Sequence, residues 1–149
     1  MTATIGKANQ SAPSASGSTV TYGSTAYASA SGGGGQGSIE WSNGSSRSAV
    51  GSQSTKARWT GNSNYNASGW SSAVTLTVNK ASGSVSTKPT AKSLTYSGSA
   101  QALVNAGSGT GTMYYSLSSS SGFSTSIPTG TNAGSYAVYY YAAASTNYN

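Results

Sequence analysis

The second half of the chain repeats the first. Val20-Thr21-Tyr22 returns as Leu94-Thr95-Tyr96, and Gly37-Ser38-Ile39-Glu40-Trp41-Ser42 returns as Gly111-Thr112-Met113-Tyr114-Tyr115-Ser116, both at an offset of 74 (94 − 20 and 111 − 37). Farther on, Gly51-Ser52 matches Gly134-Ser135 and Asn64-Tyr65-Asn66 matches Asn147-Tyr148-Asn149, at an offset of 83 (134 − 51 and 147 − 64). The second copy therefore carries nine (83 − 74) extra residues in the Ser-rich stretch between Ser116 and Asn132, read as a lengthened hairpin loop. An internal repeat of this kind divides the 149 residues into two small units, each long enough for an all-β core.

A third match lies at the amino end. Thr4-Ile5-Gly6-Lys7-Ala8 resembles Thr77-Val78-Asn79-Lys80-Ala81, the segment that closes the first copy. The chain thus opens with what reads as the last strand of a preceding or neighbouring module. The second copy reaches Asn149, the counterpart of Asn66, and contains no closing strand of its own. The expected organisation is a surplus strand at residues 1–8, a first module at residues 9–81 and a second, incomplete module at residues 82–149.

Both copies carry the two-residue alternation of half-buried strands. The inward sets are Val20 and Tyr22; Ile39 and Trp41; Thr55, Ala57 and Trp59; and Val74, Leu76 and Val78. In the second copy they are Leu94 and Tyr96, Met113 and Tyr115, and Tyr136, Val138 and Tyr140. Turn signals fall between them at Asn43-Gly44, residues 32–35, Gly61-Asn62 and Thr129-Gly130. No segment sustains a 3.6-residue apolar period, so the fold class expected is all-β: two antiparallel sandwiches in tandem.

The runs Val74 to Ala81 (VTLTVNKA), Leu94 to Leu103 (LTYSGSAQAL) and Thr131 to Asn149 (TNAGSYAVYYYAAASTNYN) resemble bacterial immunoglobulin-like (Ig-like) repeats. Such repeats stand in tandem in large bacterial surface proteins and phage structural proteins. The resemblance implies an Ig-like sandwich with stalk or adhesive duties and no catalysis, and it supplies no transferable binding residue. These repeats usually carry more Asp, Glu and Lys than this chain does.

Chemistry-bearing side chains are scarce. There is no His and no Cys, and Glu40 is the single acid, so a Ser-His-Asp or Cys-His relay, a carboxylate pair and an ordinary zinc site cannot be assembled. Glu40 alone would leave a calcium ion's charge poorly compensated. A serine-lysine pair remains available in principle, with nothing to single one out. No catalytic residue, metal or cofactor is expected. The Gly32-Gly33-Gly34-Gly35-Gln36-Gly37 run lacks the Lys-Ser/Thr ending of a phosphate loop and leads into a strand, so it reads as a flexible inter-strand loop. The triplets at Asn9, Asn43 and Asn66 match the glycosylation acceptor pattern at the rate expected in a chain this rich in Ser and Asn.

Charged residues make up only 5% of the chain, so its surface must be hydrated by hydroxyls and amides. The net charge of +6 comes from scattered bases, with only Lys56 and Arg58 close together, and specific nucleic-acid binding is not expected. No apolar run is long enough to cross a bilayer as a helix, and membrane insertion is not expected. Residues 1–10 lack an apolar signal-peptide core, which leans toward a virion protein or a segment of a longer one. The localisation expected is extracellular, on a bacterial cell surface or a phage virion.

Trp41 and its counterpart Tyr115 are expected in the core, with Trp59. The outward residues Tyr139 and Tyr141, their first-copy counterparts Lys56 and Arg58, and Trp70 are the candidate face for a partner or for cell-surface polysaccharide. Three functions are open: a stalk or weak multivalent adhesive segment, a glycan-binding module, and a self-assembling filament subunit. In the last, Thr2, Thr4, Ile5 and Lys7 would form a donor strand completing the second module of a neighbour, so the partners are adjacent Ig-like modules or copies of the same chain.

Overall fold

A computed structural model describes all 149 residues as an all-β chain with no helix. It divides into two compact units, Met1–Asn79 and Lys80–Asn149. The division falls ahead of Ala81, two residues before the boundary expected from the repeat.

Unit 1 contains β1 (Ser14–Ser16), β2 (Thr19–Thr21), β3 (Ala26–Tyr27), β4 (Ser29–Ser31), β5 (Ile39–Trp41), β6 (Ser46–Arg47), β7 (Gly51–Thr55), β8 (Ala57–Trp59) and β9 (Val74–Asn79). Its main sheet has the order β2-β9-β7, with β1-β4, β3-β6 and β5-β8 as antiparallel pairs around it. β9 lies antiparallel to β7, but β2 runs parallel to β9 with Val20 opposite Val78, so the expected all-antiparallel sandwich has one parallel seam. Thr55, Ala57 and Trp59 share one alternation, yet the chain leaves one sheet at Thr55 and enters another at Ala57. The core is built from small and branched side chains: Ala26, Leu76 and Val78 are fully buried, with Val20, Tyr22, Ala28 and Val50 packed on them. Trp41 and Trp59, expected in the core, are only half-buried. The buried place on β8 is taken by Ala57, and the Trp59 indole reaches outward to donate to the Gly32 carbonyl at 2.9 Å.

Unit 2 contains β10 (Val85–Thr87), β11 (Thr90–Ala91), β12 (Gln101–Ala102), β13 (Val104–Asn105), β14 (Ser108–Gly109), β15 (Met113–Ser116), β16 (Thr129–Gly130) and β17 (Tyr139–Ala142). Its frame follows that of unit 1 bond for bond in places. Ala8 donates to Asn64 O and accepts from Asn66 N–H, while Ala81 donates to Asn147 O and accepts from Asn149 N–H. β5 and β8 pair Ile39 with Trp59, Glu40 with Arg58 and Trp41 with Ala57; β15 and β17 pair Met113 with Ala142, Tyr114 with Tyr141 and Tyr115 with Tyr140, at the same offsets of 74 and 83. Thr129–Gly130, expected as a turn, is instead a strand paired with β12. The long excursion after Ser116 folds back so that Ser124 bridges Tyr115 on the free edge of β15.

One part of the frame has no counterpart. Residues 93–96 and 134–138 of unit 2, which correspond to β2 and β7, form no strands, and no segment of the chain lies where β9 lies in unit 1. Leu94, Tyr96, Tyr136 and Val138 were expected in strands; without a strand between them their backbones have no ladder partner. Ala8 bridges Tyr65 within unit 1, and residues 1–7, expected as a strand of a preceding or neighbouring module, pair with no strand of their own chain.

Candidate functional site

Four places were singled out by sequence, and the structure treats each differently. On β8, Arg58 does not offer a free charge. Its Nε donates to Glu40 Oε2 at 2.7 Å across the β5-β8 ladder, and its guanidinium carbon lies 4.5 Å from the centroid of the Trp70 ring. Both partners are partly exposed, so the ion pair stabilises by well under about 1 kcal/mol, and the Arg58 guanidinium lies over the Trp70 ring. Lys56 is exposed at the break between β7 and β8. The structure thus joins Arg58 with Trp70 and spends the single acid of the chain on that contact.

On β17, the alternation places Tyr139 and Tyr141 outward, as expected, with about two-fifths of each exposed. Tyr141 is covered, however: it stacks on Tyr114 at 5.4 Å and 9° and receives Phe123 edge-on at 5.1 Å. Tyr114 and Tyr141 stand where unit 1 has the Glu40–Arg58 pair, so an aromatic stack replaces a salt bridge at the same ladder position. Tyr114 and Phe123 were missed by sequence reasoning; the counterpart of Glu40 opposite the counterpart of Arg58 was the available signal for the first. A flat two-ring sugar platform needs exposed faces, and the stacking takes one face of Tyr141.

The glycine run, expected as a flexible loop, is pinned. Gln10 Nε2 donates to Gln36 O at 3.0 Å and to Asn66 O at 2.8 Å, Gln36 N–H donates to Gln10 Oε1 at 3.0 Å, and Gly34 N–H donates to Ser11 O at 3.0 Å. It is a corner that ties the amino end of unit 1 to its frame and has no anion cradle in the sense of a helix N-terminus.

The fourth place is the unfilled seam in unit 2. It opens into a cavity of about 430 Å³ whose walls include Leu94, Tyr96, Leu103, Tyr136, Val138 and Tyr140. Leu94, Tyr96 and Tyr136 are exposed at 44%, 67% and 39%, whereas the unit 1 counterparts of the first two, Val20 and Tyr22, pack on the buried core. The candidate donor residues Thr2, Thr4, Ile5 and Lys7 are all exposed and in no strand, with Ile5 at 98%. No family model, curated protein or solved structure matches the chain.

Proposed function

We propose that the chain is a non-enzymatic structural segment of two Ig-like modules in tandem, serving as a stalk or weak multivalent adhesive element of an extracellular surface protein or a virion fibre. The observation that carries this reading is the parallel seam between β2 and β9. Tension entering at the amino end of unit 1 and leaving through β9 pulls two parallel strands in opposite directions. Their ladder hydrogen bonds are then loaded together in shear, not peeled one at a time. Ala8 and Ala81 bridge Tyr65 and Tyr148 in the same parallel sense, which adds a second shear contact to unit 1 and supplies one to unit 2. A surface of Ser, Thr, Asn and Gly with few charges suits a spacer that must stay hydrated without attracting partners.

Pulling single chains by their ends tests it. The reading expects two separate unfolding events, each releasing roughly 25 nm of chain for units of 79 and 70 residues, from the extended length per residue. Unit 1, with its β2-β9 seam, should give at the higher force. A single event, or a unit 1 that yields no later than unit 2, would contradict the stalk reading.

A further inference from the structure

We propose that the open seam of unit 2 is a strand-acceptor site and that its occupant is residues 1–7 of a second copy of this chain. The inference uses the shared frame of the two units, and it concerns assembly, which the stalk reading does not require.

The acceptor is defined by what unit 1 does with the same positions. There β9 lies between β2 and β7, placing Val78 opposite Val20 and Gly51, Leu76 opposite Gln53, and Val74 opposite Thr55. Carrying these pairs over by 74 and 83 residues gives the two walls of the seam: Leu94 for Val20, Gly134 for Gly51, Tyr136 for Gln53 and Val138 for Thr55. Both walls line the 430 Å³ cavity. Two unpaired strand edges flanking an apolar cleft bind an extended segment through main-chain hydrogen bonds and side-chain pockets.

The donor is defined in the same way. Ala8 and Ala81 make the same parallel bridge in their own units, which fixes an offset of 73 (81 − 8). At that offset Ile5 stands for Val78, Ala3 for Leu76 and Met1 for Val74, while Thr2 and Thr4 stand for Thr75 and Thr77. The alternation is kept: Met1, Ala3 and Ile5 face inward and Thr2 and Thr4 outward. The sizes also compensate across the seam. Ala3 is smaller than Leu76, but it meets Tyr136, which is larger than Gln53; Ile5 is one methylene larger than Val78 and meets Gly134. Ile5 and Met1 are the two most exposed large apolar side chains of the molecule, and Leu94, Tyr96 and Tyr136 are among the others. One contact would bury all five.

Donor and acceptor are different surfaces, so the contact is heterologous and propagates head to tail unless it closes into a ring. At each joint Ile5-Gly6-Lys7-Ala8 would run from one molecule's seam into the next molecule's frame, as Val78-Asn79-Lys80-Ala81 runs within the chain.

The test is light scattering of the full 149-residue chain over a concentration series, with two variants. Ile5→Asp alters only an exposed residue, so its folding is not at risk, and it places a charge in the apolar seam. Leu94→Asp disables the acceptor. The unaltered chain is expected to grow in mass with concentration, and Ile5→Asp should weaken association by at least about 100-fold, given the cost of burying an unpaired charge. Mixing the two variants should yield one-to-one dimers and nothing longer, because the pair's one working donor and one working acceptor are both used in the joint and those left over are disabled. The proposal is overturned if the unaltered chain stays monomeric at high concentration, if Ile5→Asp assembles as well as the unaltered chain, or if the mixture forms no dimer while Ile5→Asp alone gives the strand signal of a folded chain.

Discussion

Replacing Leu76 by Ala is expected to lower the melting temperature of unit 1 by about 10–25 °C, from a loss of roughly 2–5 kcal/mol in a domain of this size. Leu76 is fully buried at the centre of the β2-β9-β7 sheet, in the cluster with Ala26 and Val78. Its neighbours are small or held in strands, so the space left by three missing heavy atoms would not close. Unit 1 has 79 residues, and at roughly 0.05–0.15 kcal/mol per residue its whole stability is about 4–12 kcal/mol. The readout is clean, since Trp41, Trp59 and Trp70 all lie in unit 1 and tryptophan emission reports that unit alone. A shift below about 3 °C would mean that β9 is not the strand that organises the core.

Gly37→Ala should destabilise unit 1 by about 2–5 kcal/mol, adding the cost of a left-handed backbone to that of overpacking. Gly37 has a φ of 94°, and a Cβ there would overlap the carbonyl oxygen of Gly61 where the chain leaves β8. Gly111, its counterpart in unit 2, makes the same kind of approach to the carbonyl oxygen of Ala143. In both units the strand that follows the glycine crosses over its partner too closely for any side chain. Gly6→Ala serves as the control: nothing lies within 4 Å of that site, and the change should stay within about 0.5 kcal/mol. Denaturant unfolding followed by tryptophan emission measures both, and equal effects at the two sites would refute the close approach at Gly37.

Much of the frame was legible in the chain, because strand register and repeat offset are both properties of residue order. The offsets of 74 and 83 align β5 and β8 with β15 and β17 residue for residue, including the replacement of Glu40 and Arg58 by Tyr114 and Tyr141. What escaped was whatever depends on a partner. Leu94, Tyr96, Tyr136 and Val138 alternate like strand residues, but a strand needs a neighbour to bond to, and alternation says nothing about whether one is present. Trp41 and Trp59 follow the inward alternation as well, yet alternation assigns a face and not a depth, and Ala57 takes the buried place. The glycine run looked mobile because its composition permits mobility; Gln10, far off in sequence, removes it. Phe123, which meets Tyr141 edge-on, could not be foreseen because it sits in the excursion that has no counterpart in the first copy.

The two units otherwise share a frame, but unit 1 holds a strand between β2 and β7 and unit 2 holds none between residues 93–96 and 134–138. Amide hydrogen exchange of the chain at a concentration where it is monomeric tests this most directly. Slow exchange is predicted at residues 75–79 and 51–55 and in the β15-β17 ladder, with fast exchange at 93–96 and 134–138. Protection at 134–138 equal to that at 51–55 would mean that unit 2 closes upon itself, and the account would be wrong.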